Sequence, residues 1–198
     1  MTKKAIALFD FDGTITVDDS LLGFIRHFVG DGRFLAGMAF LTPMLLLYKA
    51  GIIPNYKAKQ MLLAHFFRGV SQKRFYEIAS RYSLHHIDKI TRPQAMERIA
   101  WHKERGHKIV VVSASIDCWL RPWCDKNGLE LLATKLEIKD EVITGKLLTK
   151  NCYGDEKVNR IKDAYNLSLF DYIYAYGDSR GDKAMLGIAN EGFYRRFE

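Results

Sequence analysis

Three short apolar runs, each followed at once by polar residues, constrain the fold of this chain more than any other feature. They occupy residues 5–9, 108–112 and 172–176, and they are rich in β-branched and aromatic side chains. Runs of this length and composition are typical of buried strands. Segments with helical spacing separate them, so strands and helices alternate. This order predicts an α/β fold, with a parallel sheet flanked by helices.

The other predicted elements are helices and one hairpin. Helical spacing of apolar residues recurs in five segments, which are residues 19–30, 57–68, 72–82, 94–105 and 155–166. Residues 131–148 alternate apolar and polar side chains, which predicts a β-hairpin. The run at residues 172–176 is predicted to be the last strand, followed by a glycine turn and a helix from about Lys183.

Residues 17–92 interrupt the alternation and carry nearly all of the excess positive charge. The whole chain has a formal net charge of +7. This segment holds eleven basic against five acidic side chains, and residues 32–76 hold seven basic side chains and no acidic one. We therefore predict a helical cap at residues 17–92, inserted into a core of residues 1–16 and 93–198. Such a charge favours anionic partners such as lipid headgroups or phosphorylated metabolites. No nucleic acid is expected as a partner, because no binding motif for it is recognisable.

Within the cap, residues 34–48 form an apolar run that only Thr42 and Pro43 interrupt. This run is shorter than the roughly 20 residues that a helix needs to span a bilayer. It suits a helix that lies in a membrane interface, with basic residues near anionic headgroups. It suits equally well a helix that is buried in the cap's own core. Both interpretations stay open at this point.

Cysteine usage and the N-terminal sequence indicate the compartment. Cys118, Cys124 and Cys152 have no metal-binding spacing, and we interpret them as free, buried thiols in a reducing compartment. The apolar run at residues 5–9 is too short for a signal peptide, and acidic residues follow it directly. We therefore expect a cytoplasmic protein, with association with the inner face of the membrane as an open alternative.

Acidic residues follow the first and the last of the three apolar runs. Asp10 and Asp12 follow the first run, and Asp178 and Asp182 follow the last. The carboxyl ends of parallel strands meet at one edge of a sheet, so these acids are expected to lie together. Four clustered carboxylates need a cation, and magnesium prefers oxygen ligands. Two carboxylates spaced i, i+2 can divide labour, one facing a reacting phosphorus and the other handling a proton.

Three further groups can bind a phosphoryl group at this edge. Ser113, after the second run, offers a hydroxyl, and Lys157 offers a fixed positive charge. The main-chain amides of Gly13 and Thr14 add donors in a turn. Singly, each of these residues is more often a helix cap, a turn residue or a solvated lysine. The ordered set favours a site over such structural roles.

Together these residues form four motifs: DFDGT at Asp10, the strand ending in Ser113, Lys157 at the head of a helix, and GDSRGD at Asp178. In this order they resemble the motifs of haloacid dehalogenase-like (HAD) phosphatases, in the subfamily that contains phosphoserine phosphatase. The resemblance covers the whole chain. It implies a Rossmann-like sheet with an inserted type-one helical cap, a Mg²⁺ cofactor and a phosphomonoesterase activity.

The resemblance also implies a role for each residue of the site. Asp10 would attack phosphorus and carry an aspartyl-phosphate, and Asp12 would act as general acid and then as general base. Magnesium would be bound by Asp10, the main-chain carbonyl of Asp12, and Asp178, with Asp182 supporting its water shell. The predicted phosphate-binding residues are Gly13, Thr14, Ser113, Ala114 and Lys157.

The resemblance indicates the reaction more clearly than it indicates the substrate. Phosphoserine phosphatases usually have Glu, Gly-Gly and Asn where this chain has Asp19, Ala114-Ser115 and Gly181. The segments NCYGDEKV, YAYGDSRGD and GFYRRFE are instead similar to phosphatidylglycerophosphatase C and its relatives, which act on a lipid phosphate. This implies a lipid phosphate as substrate, with phosphoserine or another small phosphorylated metabolite as the alternative. Asp19, Lys57 and Lys59 are the predicted specificity residues.

Two functions other than hydrolysis stay open. A phosphotransferase would pass the phosphoryl group from Asp10 to an acceptor alcohol. A response-regulator receiver also combines an acceptor Asp with a Ser or Thr and a Lys on an α/β sheet. Asp12 and the helical insertion argue against a receiver.

Overall fold

The computed structural model describes residues 4–197. Its strands are β1 Ala5–Phe9, β2 Lys108–Ile116, β3 Glu130–Thr134, β4 Leu136–Lys139, β5 Val142–Leu147, β6 Tyr172–Gly177 and β7 Glu191–Tyr194. Five of them form a parallel sheet in the order β3-β2-β1-β6-β7, and β4 and β5 form an antiparallel hairpin. The predicted α/β fold with a parallel sheet is confirmed.

Helices fill the connections between these strands. They are α1 Ser20–Val29, α2 Asp31–Lys49, α3 Asn55–Phe67, α4 Gln72–His86, α5 Pro93–Glu104, α6 Asp117–Lys126, α7 Asp155–Ala164 and α8 Lys183–Gly187. The first five follow one another with no strand between them, and α1 to α4 lie within residues 17–92; strands separate the later helices. The inserted helical cap is therefore present, as predicted.

Both faces of the sheet are buried, because successive side chains of a strand point to opposite faces. Ile6 and Leu8 of β1 pack with Val110 of β2 on one face, and Phe9 packs with Val111 on the other. A strand that is covered on both sides reads as a continuous apolar run. This is why the central strands could be predicted from the sequence, and why their polar ends are held firmly at one edge.

The chain enters and leaves the cap through two adjacent segments. The amide of Val17 donates to the carbonyl of Ile90 at 2.8 Å, and the amide of Arg92 donates to the carbonyl of Ile15 at 2.8 Å. These hydrogen bonds hold the two segments that connect core and cap next to each other. The division into a core of residues 1–16 and 93–198 and a cap of residues 17–92 stays a prediction.

Two details of the predicted strands are wrong. The hairpin predicted at residues 131–148 begins only at Leu136, because the residues before it form β3 of the main sheet. Alternating polarity runs through both elements, so periodicity does not separate them. In addition, β6 is not the last strand, because β7 pairs with it at the sheet edge. Only Phe193 of β7 is buried, so this strand lacks the apolar run that would reveal it.

Helix α2 is apolar all round and only half covered. Leu41 and Met44 are buried in the cap, whereas Leu35 and Phe40 are exposed to 66% and 74%. The interpretation of the apolar run as a buried helix therefore holds for one side of it only. Among the helices that the structure describes, none is long and apolar enough to cross a membrane.

The three cysteines are free and buried, as predicted. Burial raises the pKa of Cys124 to about 12 and that of Cys152 to about 11, and it raises the pKa of Cys118 well above its ordinary value. A thiol in such surroundings is not a ready nucleophile. We therefore place the chemistry at the acidic edge of the sheet.

The β4–β5 hairpin supports the cap and fixes the position of α3. Gly145 of β5 has a φ of +84°, and a Cβ at this residue would lie 2.3 Å from the Cα of Ala64. Only glycine allows so close an approach in this backbone conformation. The amide of Leu147 also donates to Oε1 of Gln60 at 3.0 Å. The resulting contact brings α3 to the edge of the sheet where the acids lie.

Candidate active site

Asp10 is the first residue after β1, and its carboxylate is buried. Its amide donates to the carbonyl of Tyr176 at 2.9 Å, which fixes the residue at the sheet edge. Its Oδ1 accepts from Nζ of Lys157 at 2.5 Å, and its Oδ2 accepts from Oγ1 of Thr14 at 3.3 Å. Burial raises the pKa of Asp10 to about 7; Lys157 opposes this shift and Asp182 adds to it. A carboxyl with so perturbed a pKa in a cleft is typical of a functional site.

Lys157 lies in the first turn of α7 and is only 1% exposed. Its Nζ donates to Oδ1 of Asp10 at 2.5 Å, to the carbonyl of Val112 at 2.7 Å and to Oδ1 of Asp182 at 2.7 Å. Burial alone would lower the pKa of Lys157, but the two carboxylates outweigh it and raise that pKa. The lysine therefore stays charged and joins three elements at one point.

Asp178 and Asp182 lie on the loop after β6. Oδ2 of Asp182 accepts from the amide of Ser179 at 2.9 Å and from its hydroxyl at 2.7 Å, which turns Oδ1 towards Lys157. Burial would raise the pKa of Asp182, but Lys157 outweighs it and the pKa is lowered. Gly13 lets Asp178 approach, because a Cβ at that glycine, whose φ is +84°, would lie 2.5 Å from Oδ2 of Asp178.

The carboxylates of Asp10, Asp178 and Asp182 form a cluster that suits a metal ion. One oxygen of each lies within 4.8 Å of the others. Carboxylate oxygens are the ligands that hard divalent cations such as Mg²⁺, Ca²⁺ or Mn²⁺ prefer. Buried negative charges are also costly without a compensating cation. The donor set therefore fits a divalent metal ion.

A family model of the haloacid dehalogenase-like hydrolases matches residues 7–187. The chain belongs to this family. It is also 33% identical over 197 residues to protein CicA of Caulobacter vibrioides, and the match covers 98% of this chain and 87% of that protein.

Solved structures show the same fold. A protein of unknown function from Bordetella pertussis matches with a TM-score of 0.84 and 21% identity, covering 98% of this chain and 90% of that one. A substrate-bound phosphoserine phosphatase matches with a TM-score of 0.65 and 22% identity, covering 97% of this chain and 86% of that one. The predicted membership of the HAD family, with structural neighbours among the phosphoserine phosphatases, is confirmed. By its family model, this HAD protein is a hydrolase.

Asp12 of this HAD hydrolase is held by groups from two distant parts of the chain. Its Oδ1 accepts from the amide of Ser20, the first residue of α1, at 2.6 Å. Its Oδ2 accepts from the hydroxyl of Ser115, on β2, at 2.5 Å. Burial raises the pKa of Asp12 to about 6; Asp19 adds to the shift and the two serines oppose it. A carboxyl that titrates near neutral pH can both donate and accept a proton.

A cavity of about 340 Å³ joins these acids to the cap. Its charged wall includes Asp10, Asp12, Lys157 and Asp182. Its cap wall is mainly apolar and consists of Leu21, Leu22, Met38, Leu45, Tyr48, Ala58 and Leu62. A phosphoryl group held at the acids would therefore have the rest of its molecule against apolar side chains.

The predicted phosphate-binding residues lie in three different places. Ala114 and Lys157 line the cavity. Ser113 is fully buried, and its hydroxyl accepts from the amide of Ser115 at 3.0 Å. Residues 13 and 14 line a second cavity of about 390 Å³, which Asp178 of the carboxylate cluster also lines. Of the predicted set, therefore, only Ala114 and Lys157 line the cavity that Asp10 lines.

Lys59, from α3, reaches the acidic edge from the cap. Its Nζ donates to the carbonyl of Ala114 at 2.7 Å and to Oδ1 of Asn151 at 2.9 Å. Burial lowers the pKa of Lys59 to about 8, although Asp12 and Asp19 oppose this shift. Lys59 therefore brings a cationic group from the cap into the cavity.

The other two predicted specificity residues differ from each other. Asp19 lines the cavity and caps α1 by accepting from the amide of Leu22 at 3.0 Å. Lys57 is exposed and lies outside the cavity, in a groove between α3 and the hairpin. Sequence reasoning missed the role of Ser20, which belongs to no motif, and that of Asn151, which it quoted only as part of NCYGDEKV. It noticed Ser115 only as a departure from glycine.

Proposed function

We propose that the chain is a Mg²⁺-dependent phosphomonoesterase that acts through an aspartyl-phosphate on Asp10. The observation that carries the proposal is the surroundings of this residue. Its carboxylate lines the cavity, Lys157 binds one of its oxygens, and Asp178 and Asp182 complete a carboxylate cluster that suits a metal ion. Magnesium would be held by Asp10, Asp178 and the main-chain carbonyl of Asp12, and it would neutralise charge on the carboxylate and on the phosphate.

Two carboxylates perform both steps of the proposed reaction. First, an oxygen of Asp10 bonds to phosphorus as the ester bond breaks, and Asp12 gives a proton to the departing oxygen. Then Asp12 takes a proton from a water molecule whose oxygen attacks phosphorus, and the bond from phosphorus to Asp10 breaks. Phosphate leaves, and Asp12 is again protonated. Lys157 and the donors of Gly13, Thr14, Ser113 and Ala114 stabilise the phosphoryl oxygens.

The metal supplies the first test. Asp178→Asn is expected to raise the Mg²⁺ concentration for half-maximal activity at least about tenfold, because it removes one charged ligand. Excess chelator is expected to stop catalysis by the native chain. Asp163→Asn, which changes an exposed acid of α7, is the matched control and should leave the Mg²⁺ dependence unchanged. Full activity in excess chelator would exclude this metal dependence.

The apolar cap wall favours a lipid phosphate as the substrate. Leu21, Met38, Leu45 and Leu62 would contact the organic part of the substrate, where an apolar group gains most from burial. A small amino-acid phosphate such as phosphoserine is the second candidate, because Lys59 and Asp19 bring opposite charges to the same cavity. Hydrolysis rates for phosphatidylglycerophosphate, phosphoserine and sugar phosphates separate the two. A higher kcat/KM for phosphoserine than for any lipid phosphate would reverse the order.

The exposed side of α2 supports a peripheral contact with an anionic membrane surface. With 3.6 residues per turn, its exposed Leu35, Phe40 and Leu46 share one broad side of the helix. The same periodicity places Arg33 and Lys49 at the two margins of that side. Apolar side chains between flanking cations are typical of a helix that lies in a membrane interface. The inner side of this helix, at Met38 and Leu45, lines the cavity.

Vesicle binding tests this contact. The double variant Phe40→Ser, Leu46→Ser is expected to bind anionic vesicles at least about tenfold more weakly, because each large side chain contributes roughly 1.5–3 kcal/mol when buried. The control Leu148→Ser, Leu169→Ser removes equally exposed leucines outside the cap and should bind normally. Arg33→Glu should weaken binding mainly at low salt. Among the basic residues of the cap, Lys59 is not a suitable choice for charge reversal, because it lines the cavity and a change there would also affect the active site. Equal binding by both double variants would contradict a contact through α2.

A further inference from the structure

A chain of hydrogen bonds runs through the cap–core junction and ends on Asp12. The indole Nε1 of Trp119 donates to Oγ of Ser20 at 3.3 Å, and that hydroxyl donates to Oγ of Ser115 at 3.1 Å. The Ser115 hydroxyl in turn donates to Oδ2 of Asp12 at 2.5 Å. Every donor in the series points the same way, so each bond polarises the next.

Residues of the same cap–core junction also bind the other carboxyl oxygen of Asp12. Oδ1 of Asp12 accepts from the amide of Ser20 at 2.6 Å, so Ser20 reaches both sides of the group, directly and through Ser115. Tyr82 of α4 donates to the carbonyl of Ser20 at 3.3 Å, which fixes the first turn of α1. Ser20 and Trp119 are completely buried, and Ser115 is 5% exposed.

We infer that Ser115, supported by Ser20, is a positioning residue that aims the carboxyl group of Asp12 at the leaving oxygen. Two donors from different directions restrict rotation of a carboxyl group, whose terminal torsion is otherwise broad. Asp12 and Ser115 both line the cavity, so the group is held at the wall where the ester oxygen departs. This inference rests on the proposed role of Asp12 as general acid.

Leaving-group dependence tests this role. An alkoxide needs a proton as it departs and a nitrophenolate does not, so only alkyl phosphates depend on a well-aimed general acid. Ser115→Ala is expected to lower kcat/KM for an alkyl phosphate by roughly tenfold to a hundredfold. For p-nitrophenyl phosphate the same ratio should fall by less than about threefold. The ratio kcat/KM is used because it reports the steps up to transfer of the phosphoryl group to the enzyme.

Reference variants separate the inference from the proposed function. Asp12→Asn should show the same selective loss, and adding Ser115→Ala to it should cause little further loss, because the two residues act as one unit. If Asp12→Asn itself has no selective effect, the proposed general acid is wrong. If Asp12→Asn lowers kcat/KM only for the alkyl phosphate but Ser115→Ala lowers kcat/KM equally for both substrates, the inference about Ser115 is overturned. The proposed role of Asp12 as general acid is then retained.

A structural control completes the design. Ser83 is also a fully buried serine, and its hydroxyl accepts from the amide of Trp123 at 2.9 Å, away from the cavity wall. Ser83→Ala is expected to affect thermal stability without any selective loss for alkyl phosphates. If Ser115→Ala fails to fold, Ser20→Ala replaces it in the test. This variant keeps the hydrogen bond from the main-chain amide of residue 20 to Asp12 and removes only the hydroxyl that supports Ser115. Its selective loss should be smaller, and no selective loss in a folded Ser20→Ala would then overturn the inference.

Discussion

Replacement of Asp10 by Asn is expected to lower turnover at least about a thousandfold while the protein stays folded. The amide has nearly the shape of the carboxyl group but cannot form the acyl-phosphate. The fold should survive because the change removes one charge from a buried cluster in which Asp10 already has a pKa raised to about 7. Lys157 keeps Asp182 and the carbonyl of Val112 as acceptors.

The measurement is steady-state hydrolysis of a phosphate monoester together with thermal unfolding. Asp163→Asn makes the same chemical change at an exposed position of α7 and should keep native activity. In the absence of metal, the thermal unfolding midpoint of Asp10→Asn should lie within a few degrees of that of the native chain. Native rates in Asp10→Asn would exclude this residue as the nucleophile.

Replacement of Lys157 by Met is expected to affect both activity and stability. Removing one partner of a buried ion pair leaves an uncompensated buried charge, which typically costs about 3–5 kcal/mol. Here Lys157 serves two carboxylates, those of Asp10 and Asp182, at 2.5 Å and 2.7 Å. Activity should fall at least about a hundredfold, because the fixed positive charge at the phosphoryl group is lost. Lys162→Met, on the exposed side of the same helix, is the control.

The pH dependence of this destabilisation has a definite sign. In the native chain Lys157 outweighs burial and lowers the pKa of Asp182, so this acid contributes stability above its unfolded pKa of about 3.9. In Lys157→Met the largest effect that opposes burial is lost, so the pKa of Asp182 should rise and that of Asp10, already raised to about 7, should rise further. Raised carboxyl pKa values cost stability as the pH rises. Without metal, the gap between the native chain and the variant should therefore be small near pH 4 and largest near pH 8.

Denaturant unfolding at both pH values, in the presence of chelator, measures this gap. A loss below about 1 kcal/mol at pH 8 would mean that the cluster does not depend on the lysine. A gap that widens on acidification would show that the assigned charges are wrong. Lys162→Met should show neither effect, because it removes a solvated charge.

The sequence predicted the part of the site that lies on continuous apolar strands. Asp10 directly follows a strand that is buried on both faces, so the position of its carboxylate at the sheet edge follows from the run before it. The GDSRGD loop could be placed for the same reason, because it follows β6. What sequence patterns did not show is the set of contacts made between elements. Asp12 is held by Ser20 and Ser115, which are far apart in the chain and share no spacing.

The cap shows a second limit of sequence patterns. Lys57 and Lys59 are nearly equivalent in sequence, but two residues correspond to more than half a turn of α3 and place them on different sides. One donates to Ala114 inside the cavity, and the other is exposed in a separate groove. For α2 the apolar run gave no orientation, because a helix that is apolar all round has no preferred face. The covered side is set by packing against Leu62 and its neighbours, which no local pattern encodes.

Acid quenching during turnover, followed by mass spectrometry of the peptide that contains Asp10, tests the central claim most directly. The aspartyl-phosphate should accumulate most in Asp12→Asn given a substrate with a good leaving group, because such a substrate needs no acid while hydrolysis of the intermediate needs the base. We predict one added phosphoryl group on Asp10, its removal by hydroxylamine, and its absence when Asp10 is replaced by Asn. A phosphoryl group on any other residue, or none during rapid turnover, would contradict the mechanism.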